Sequence, residues 1–383
     1  MRSRVLAWGT GGAGLALVFG LWWGSTDRVL EPAPTADLEA PLHRRGIHVN
    51  AWAAGSARRS QELIELARRT ELNTLVIDVK DATGYVSYPT SVALAREIGA
   101  DRDVRVRDVR DLLTRMAEAG LWPVARIVVF KDPLLARARP DHAVQGPEGG
   151  AWVDGKGDLW VNPWDVRTWD YHVAIAREAV ALGFREIQWD YIRFPDRPAE
   201  EMASTVYPGA NGRARSAAVR GFLLHAREGL EDLGVPVTAD VFGVTTTSTR
   251  DVGIGQVWES FIDVVDAALP MVYPSHYWEG SFGFQNPNAY PYEIVRRALT
   301  DALRRTEPIE GAGKIVPWLQ AFTLGAPPYG PERVRAQIQA VYDVGLHEWM
   351  LWNPASVYAE AALEPAAEAM SVADPEQLDP PGS

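Results

Sequence analysis

Residues 166–190 read VRTWDYHVAIAREAVALGFREIQWD, and this stretch decides the fold. Val166, Trp169, Val173, Ala176 and Val180 recur at helical spacing, so one stripe of a helix is apolar. Gly183 follows, where a helix end needs a left-handed residue. A short apolar run then spans 186–189, with Asp190 at its tip. The phrase is therefore helix, glycine, buried strand.

The same phrase recurs on both sides. Val109, Leu112, Leu113 and Met116 lead through Gly120 to a strand at 123–130. Val219, Phe222, Leu223, Ala226 and Leu230 lead through Gly234 to a strand at 237–242. Pro331, Val334, Ile338 and Val341 lead through Gly345 to a strand at 348–352. Further strands read at 46–50, 74–79, 267–273 and 314–321. That gives eight strands and about eight helices. The strands are continuous apolar runs, as in parallel sheets buried on both faces. A doubly wound sheet is the rival. Strand count and loop asymmetry favour an α/β fold of (β/α)8 TIM-barrel type, because the long loops follow Val79, Phe130, Asp190 and Tyr273. In a barrel those loops share the carboxyl-terminal face, where barrel enzymes work.

Composition narrows the function. The chain has 383 residues, 47% hydrophobic and 23% charged, with a formal net charge of −12. That balance speaks against a nucleic-acid partner, whose phosphates need a basic surface. There are no cysteines, which removes disulfides, thiolate nucleophiles and cysteine-based metal sites. The 7 histidines are scattered. No H-x-H, H-E-x-x-H, G-x-S-x-G or Walker A pattern occurs, so neither a metal nor another cofactor is expected. The 15 tryptophans suit a large core, and at strand ends they also suit sugars, whose C–H faces stack on flat rings.

The amino terminus reads as a targeting segment. Arg2 and Arg4 precede an apolar run from Val5 to Trp23, near the length that spans a bilayer. Residues 1–24 are read as a signal anchor or signal peptide, with the transmembrane anchor preferred. The rest of the chain is then exported, membrane-anchored or secreted, and membrane contact is confined to this segment. Gly9, Gly11 and Gly14 fall inside it without a βαβ context, so they are no dinucleotide fingerprint. Residues 25–43 read as a linker, 44–365 as the barrel and 366–383 as a flexible acidic tail.

Polar residues sit where apolar strands end. Asp190 lies in Gln188-Trp189-Asp190-Tyr191-Ile192-Arg193-Phe194-Pro195, with an aromatic on each side; the plainer reading is an Asp capping the next helix or paired with Arg193. Asp240 ends the fifth strand, where a buried carboxylate accepting backbone hydrogen bonds is the plainer reading. Neighbouring barrel strands place such carboxylates on the order of 5–10 Å apart, the range of glycoside hydrolysis. One must ionise and attack or activate water; the other must stay protonated through burial and like-charge repulsion. Asp78 and Lys80 alternate onto one side of the second strand, with Asp81 beyond, and either bind substrate or pair with each other. Tyr273, His276, Gln320 and Asn353 complete the polar tips. Trp278, Trp318 and Trp352 could floor a sugar site, whereas Trp349 suits the core. Residues 152–164, with Asp154, Asp158 and Trp160, form either a lid or a packed excursion.

The chain resembles the bacterial putative glycosyl hydrolase domain family. The matching stretches are Gly46-Ile47-His48-Val49-Asn50, residues 73–81 with Gly84, residues 125–133, Trp160-Val161-Asn162-Pro163, residues 188–195 and residues 270–277. The resemblance implies a TIM barrel related to the α-amylase and α-galactosidase superfamily. It implies that Asp190, at the end of strand four, is the nucleophile and that Asp240, on strand five, is the acid, although Asp replaces the usual Glu. The amylase-type arginine two residues before the nucleophile is absent, since Gln188 stands there. The expectation is a glycosidase acting on an extracellular or envelope polysaccharide or oligosaccharide through Asp190 and Asp240, with Asp78, Lys80, Arg193, Tyr273, His276, Gln320, Trp318 and Trp352 binding substrate. A non-catalytic carbohydrate-binding or scaffold protein is the rival, and a transglycosylase would share the site.

Overall fold

The computed structural model describes residues 33–35 and 37–366. The targeting segment and nearly all of the acidic tail lie outside the described residues. No helix among the described residues is long and apolar enough to cross a membrane.

The strands are β1 (Arg45–Val49), β2 (Thr74–Lys80), β3 (Trp122–Val128), β4 (Glu186–Asp190), β5 (Val237–Phe242), β6 (Ala267–Met271), β7 (Lys314–Ile315), β8 (Trp318–Gln320) and β9 (Trp349–Trp352). All pair in parallel, and the sheet closes when β5 pairs with β6. Short β7 and β8 together form the seventh stave. The expected single strand at 314–321 is broken because Pro317 has no N–H to give a neighbour; its carbonyl still accepts from Met350 at 2.9 Å.

Alternation splits the apolar residues into two shells. Leu75, Ile77 and Val79 pack outward under the helices, while Val76, Val124, Leu269, Val316 and Met350 fill the barrel. Both faces are dry, which is why the strands read as unbroken apolar runs. Six helices of ten or more residues cover the outside: Ala57–Arg69, Val109–Glu118, Val166–Leu182, Arg215–Glu228, Pro291–Thr306 and Pro331–Asp343. The expected count of about eight is corrected. The connection after β5 has only short turns, such as Trp258–Ser260, and fills its place with buried Trp258 and Phe261. After β9 there is the turn Glu360–Ala362.

Helix ends follow the sequence signals. Asp165 caps its helix by accepting from Arg167 N at 3.0 Å, a bond worth about 1 kcal/mol. Gly183 ends that helix at φ 126. A Cβ there would also press on Pro34 and Thr35. Thr35 is fully buried and bonds Gly183 O, so this part of the expected linker packs against the barrel.

The amino-terminal end of the barrel is closed by charge. Arg44 holds Glu186 at 2.8 Å and Glu348 at 2.6 Å. Trp122 Nε1 donates to Glu186 at 3.1 Å, and Lys314 holds Glu348 at 2.7 Å. The opposite end is left for the polar strand tips.

Candidate active site

Four strands aim charged side chains into the carboxyl-terminal end of the barrel, and a guanidinium stands among them. Arg126 sits in the middle of the apolar strand β3, paired in register with Asp78 on one side and Gln188 on the other. Its Nη1 donates to Asp78 Oδ1 at 2.5 Å, and its Nε donates to Asp190 Oδ2 at 3.0 Å, where Nη2 also bonds. Asp240 Oδ2 lies 3.7 Å from Nε. Burial would strip the guanidinium of its proton, but Asp190, Asp78 and Asp240 outweigh that.

The three acids differ in what surrounds them. Asp190 accepts from Arg126 Nε and Nη2 and, through Oδ1, from the backbone N of Tyr191 at 2.5 Å. Asp78 also accepts from His48 Nε2 at 3.0 Å. Burial alone would raise its pKa, yet His48 and Arg126 hold it at about 2. His48 Nδ1 faces Asn353 O at 3.2 Å, so both ring contacts are hydrogen bonds only when the ring carries both protons. Asp240 goes the other way. Burial and then the charge of Asp190 push its carboxyl well above the usual range, against the pull of Arg126 and of Trp318. Trp318 Nε1 donates to Asp240 Oδ1 at 2.7 Å.

That indole bond gives a prediction. Trp318→Phe should cost about 1–3 kcal/mol through the lost bond and the gap left behind, and should move the Asp240 carboxyl further up. Carbon-detected titration of Asp240 checks it; an unchanged midpoint would remove Trp318 from the charge balance.

The other expected residues divide. Tyr273 is buried beside Asp240 and Asp190, which with burial drive its hydroxyl well up. Trp352 stacks on His48 at 3.9 Å and lies 4.8 Å from Arg126 Cζ. His276 is on the exposed rim, its Nδ1 3.0 Å from Ser275 Oγ. Gln320 is fully buried and its amide is spent on the scaffold, accepting from Ser275 N at 3.0 Å and donating to Phe322 O at 3.0 Å. Trp278 is 69% exposed beyond β6, and Trp349 is in the outer core.

One expectation is corrected. Lys80 does not share a side with Asp78. The register shifts between them, so Lys80 pairs with outward-facing Ile127. There its Nζ meets Asp132 at 2.9 Å in full burial, and it cannot reach a substrate in the mouth. Gly84 makes this fit, since a Cβ would stand 2.6 Å from Asp132 Oδ1. The plainer reading of Asp190 as paired with Arg193 does not hold either; Arg126 takes that place. The 152–164 segment packs against the mouth, with Trp152 and Trp160 buried and Asp158 held by Lys131 at 2.7 Å.

Arg126 and His48 went unassigned in the sequence. The usable signal was a lone cation inside the run Trp122–Val128, where burial demands a partner. Among the described residues no cluster of three or more His, Asp or Glu is arranged to hold a metal ion.

A family described as "putative glycosyl hydrolase domain" matches residues 46–358, most of the chain. The chain belongs to this family. Among solved structures, a hypothetical protein from Ruminiclostridium thermocellum ATCC 27405 is 37% identical, over 51% of this chain and 97% of its own, with a TM-score of 0.47. The PgaB (BpsB) glycoside hydrolase domain from Bordetella bronchiseptica is 14% identical, over 89% of this chain and 100% of its own, with a TM-score of 0.59. The α-L-fucosidase isoenzyme 2 from Paenibacillus thiaminolyticus is 16% identical, over 84% of this chain and 48% of its own, with a TM-score of 0.51. At that identity the last two establish a shared barrel and nothing finer. No curated protein matches the chain. The family's fold and the charged mouth thus coincide at the carboxyl-terminal end of the strands.

Proposed function

We propose that this protein hydrolyses a glycosidic bond in an extracellular or cell-envelope polysaccharide, with Asp190 as nucleophile and Asp240 as general acid. The observation that carries this reading is the contrast between two carboxylates sharing one guanidinium. Asp190 is surrounded by N–H donors, whereas Asp240 is driven toward its protonated form. An acid beside an anion is what the reaction needs, because one group must donate a proton to the leaving oxygen while the other attacks. Their nearest oxygens, both on Arg126 Nε, are no more than about 7 Å apart, a separation compatible with glycoside hydrolysis. Arg126, reaching across from the register position beside Gln188, supplies the guanidinium that the strand-four sequence lacks. Export is part of the proposal and rests on the basic, then apolar, amino terminus.

The test is release of reducing ends from a panel of envelope and extracellular polysaccharides by the wild type and Asp240→Asn. The variant should lose about 10²–10⁴-fold in rate. Its stability should change as well. A carboxyl raised on folding contributes stability below its ordinary pKa of 3.8 and loses it as pH rises toward the folded value. Wild-type melting should therefore fall with rising pH more steeply than that of Asp240→Asn. Unchanged turnover in the variant would reject Asp240 as the acid.

A second reading is carbohydrate binding without turnover. It is favoured by burial, since Asp190 and Asp240 are 4% and 1% exposed and Arg126 stands between them. Polysaccharide retention by both proteins, with no cleavage by either, would select it.

A further inference from the structure

The loop after β4 buries a cation that no acid among the described residues answers. Five arginines are buried among the described residues: Arg44, Arg45, Arg126, Arg193 and Arg305. Four of them hold a carboxylate. Arg193 is 8% exposed, yet no carboxylate oxygen of the described residues comes within the 4.0 Å of an ion pair. Asp190 and Asp196 act on it only from farther away. Its one hydrogen bond to the backbone runs from Nη1 to Phe194 O at 3.1 Å, and the Tyr191 hydroxyl lies beside it.

What surrounds Arg193 instead is aromatic. Its Cζ lies 4.6 Å from the ring centre of Phe242, 4.7 Å from Tyr191 and 5.1 Å from Trp160. Ring faces attract a guanidinium, but beyond the contacts with Phe194 O and the Tyr191 hydroxyl they leave edge N–H groups free to donate. Burial of such a group without an anion is unfavourable, and it drags the guanidinium below its ordinary pKa. The backbone is also set for this placement: Tyr191 takes φ 51, in the left-handed region, where a non-glycine residue is strained.

The position is the mouth. Arg193 follows Asp190 by three residues, and Phe242 follows Asp240 by two. We propose that Arg193 recognises an acidic sugar, so that the polysaccharide carries a carboxylate-bearing ring seated beside Asp190 and Asp240. The planar fork of an arginine suits a carboxylate in two parallel hydrogen bonds. With a formal charge of −12 on the chain, an anionic polymer needs such a local anchor. This rests on the reading of the mouth as a sugar site.

The experiment is calorimetric titration of the full chain at matched ionic strength. Oligoglucuronate and oligogalacturonate are compared with cello- and galacto-oligosaccharides of the same length, and with a sulfated galacto-oligosaccharide. The wild type should bind an acidic oligomer at least about 10-fold tighter than its neutral counterpart. Arg193→Met should abolish that preference, and Arg193→Lys should keep part of it, while neither lowers the melting temperature. Equal binding of acidic and neutral oligomers, or binding of neither, overturns the proposal. A preference for sulfate over carboxylate overturns the assignment to uronates. An Arg193→Met protein that melts early yet keeps the acid preference marks a purely structural arginine. Acid preference without turnover of any polymer removes the hydrolase reading alone; turnover without that preference removes only this one.

Discussion

Arg126→Met is expected to destabilise the protein by about 3–5 kcal/mol at neutral pH, the cost of breaking a buried ion pair and leaving its acids behind. The guanidinium bonds Asp78 and Asp190 and reaches Asp240. Without it, Asp78 keeps only His48, and Asp190 keeps only the Tyr191 N–H. The Asp78 carboxyl must then rise in the folded state, because burial loses part of its counterweight. The sign follows: the loss is full at neutral pH and shrinks as pH falls and that carboxyl protonates. Urea unfolding of wild type and variant at two pH values measures it. Arg126→Lys keeps a charge but not the fork, and should lie between. A loss below about 1 kcal/mol at neutral pH would mean that the three acids do not depend on this cation.

The second large effect is on turnover. Asp190→Asn should reduce hydrolysis on the order of 10⁴-fold or more, as for loss of a nucleophile, while the fold survives. Arg126 would still hold Asp78. Asp240 would also ionise more easily, since the charge of Asp190 is the second cause of its raised pKa after burial, and it could then take up the vacated donors. Stability within about 1–2 kcal/mol of the wild type, with turnover gone, is the expected pair of results. Retained turnover would move the nucleophile elsewhere in the mouth.

Much of the fold was legible because its signals are local. Strands at 74–79, 186–189 and 237–242 fall within a residue of β2, β4 and β5, since each is a short apolar run, the last two following the helix-ending Gly183 and Gly234. The missing helix after β5 was not legible. Its place is filled by tertiary packing of Trp258 and Phe261, which leaves no period in the sequence. At the mouth, Asp190 and Asp240 could be placed by their positions near strand ends alone. Lys80 could not be placed, because the shift between Asp78 and Lys80 breaks the alternation that reading relied on. Arg126 was missed for a different reason. This residue lies inside its strand, away from the polar tips, and only three-dimensional closure brings Asp78, Asp190 and Asp240 around it.

The charged plug of Arg44, Glu186 and Glu348 has a consequence for how such a molecule can change. Glu186 and Asp190 open and close the same strand, so plug and mouth stand about 13 Å apart along it. A dry waist of Val76, Val124, Leu269, Val316 and Met350 separates them. At that distance perturbations add rather than compound. One end of the tube works as a foundation and the other as a workbench, and new chemistry can be tried on the bench while the foundation stays untouched.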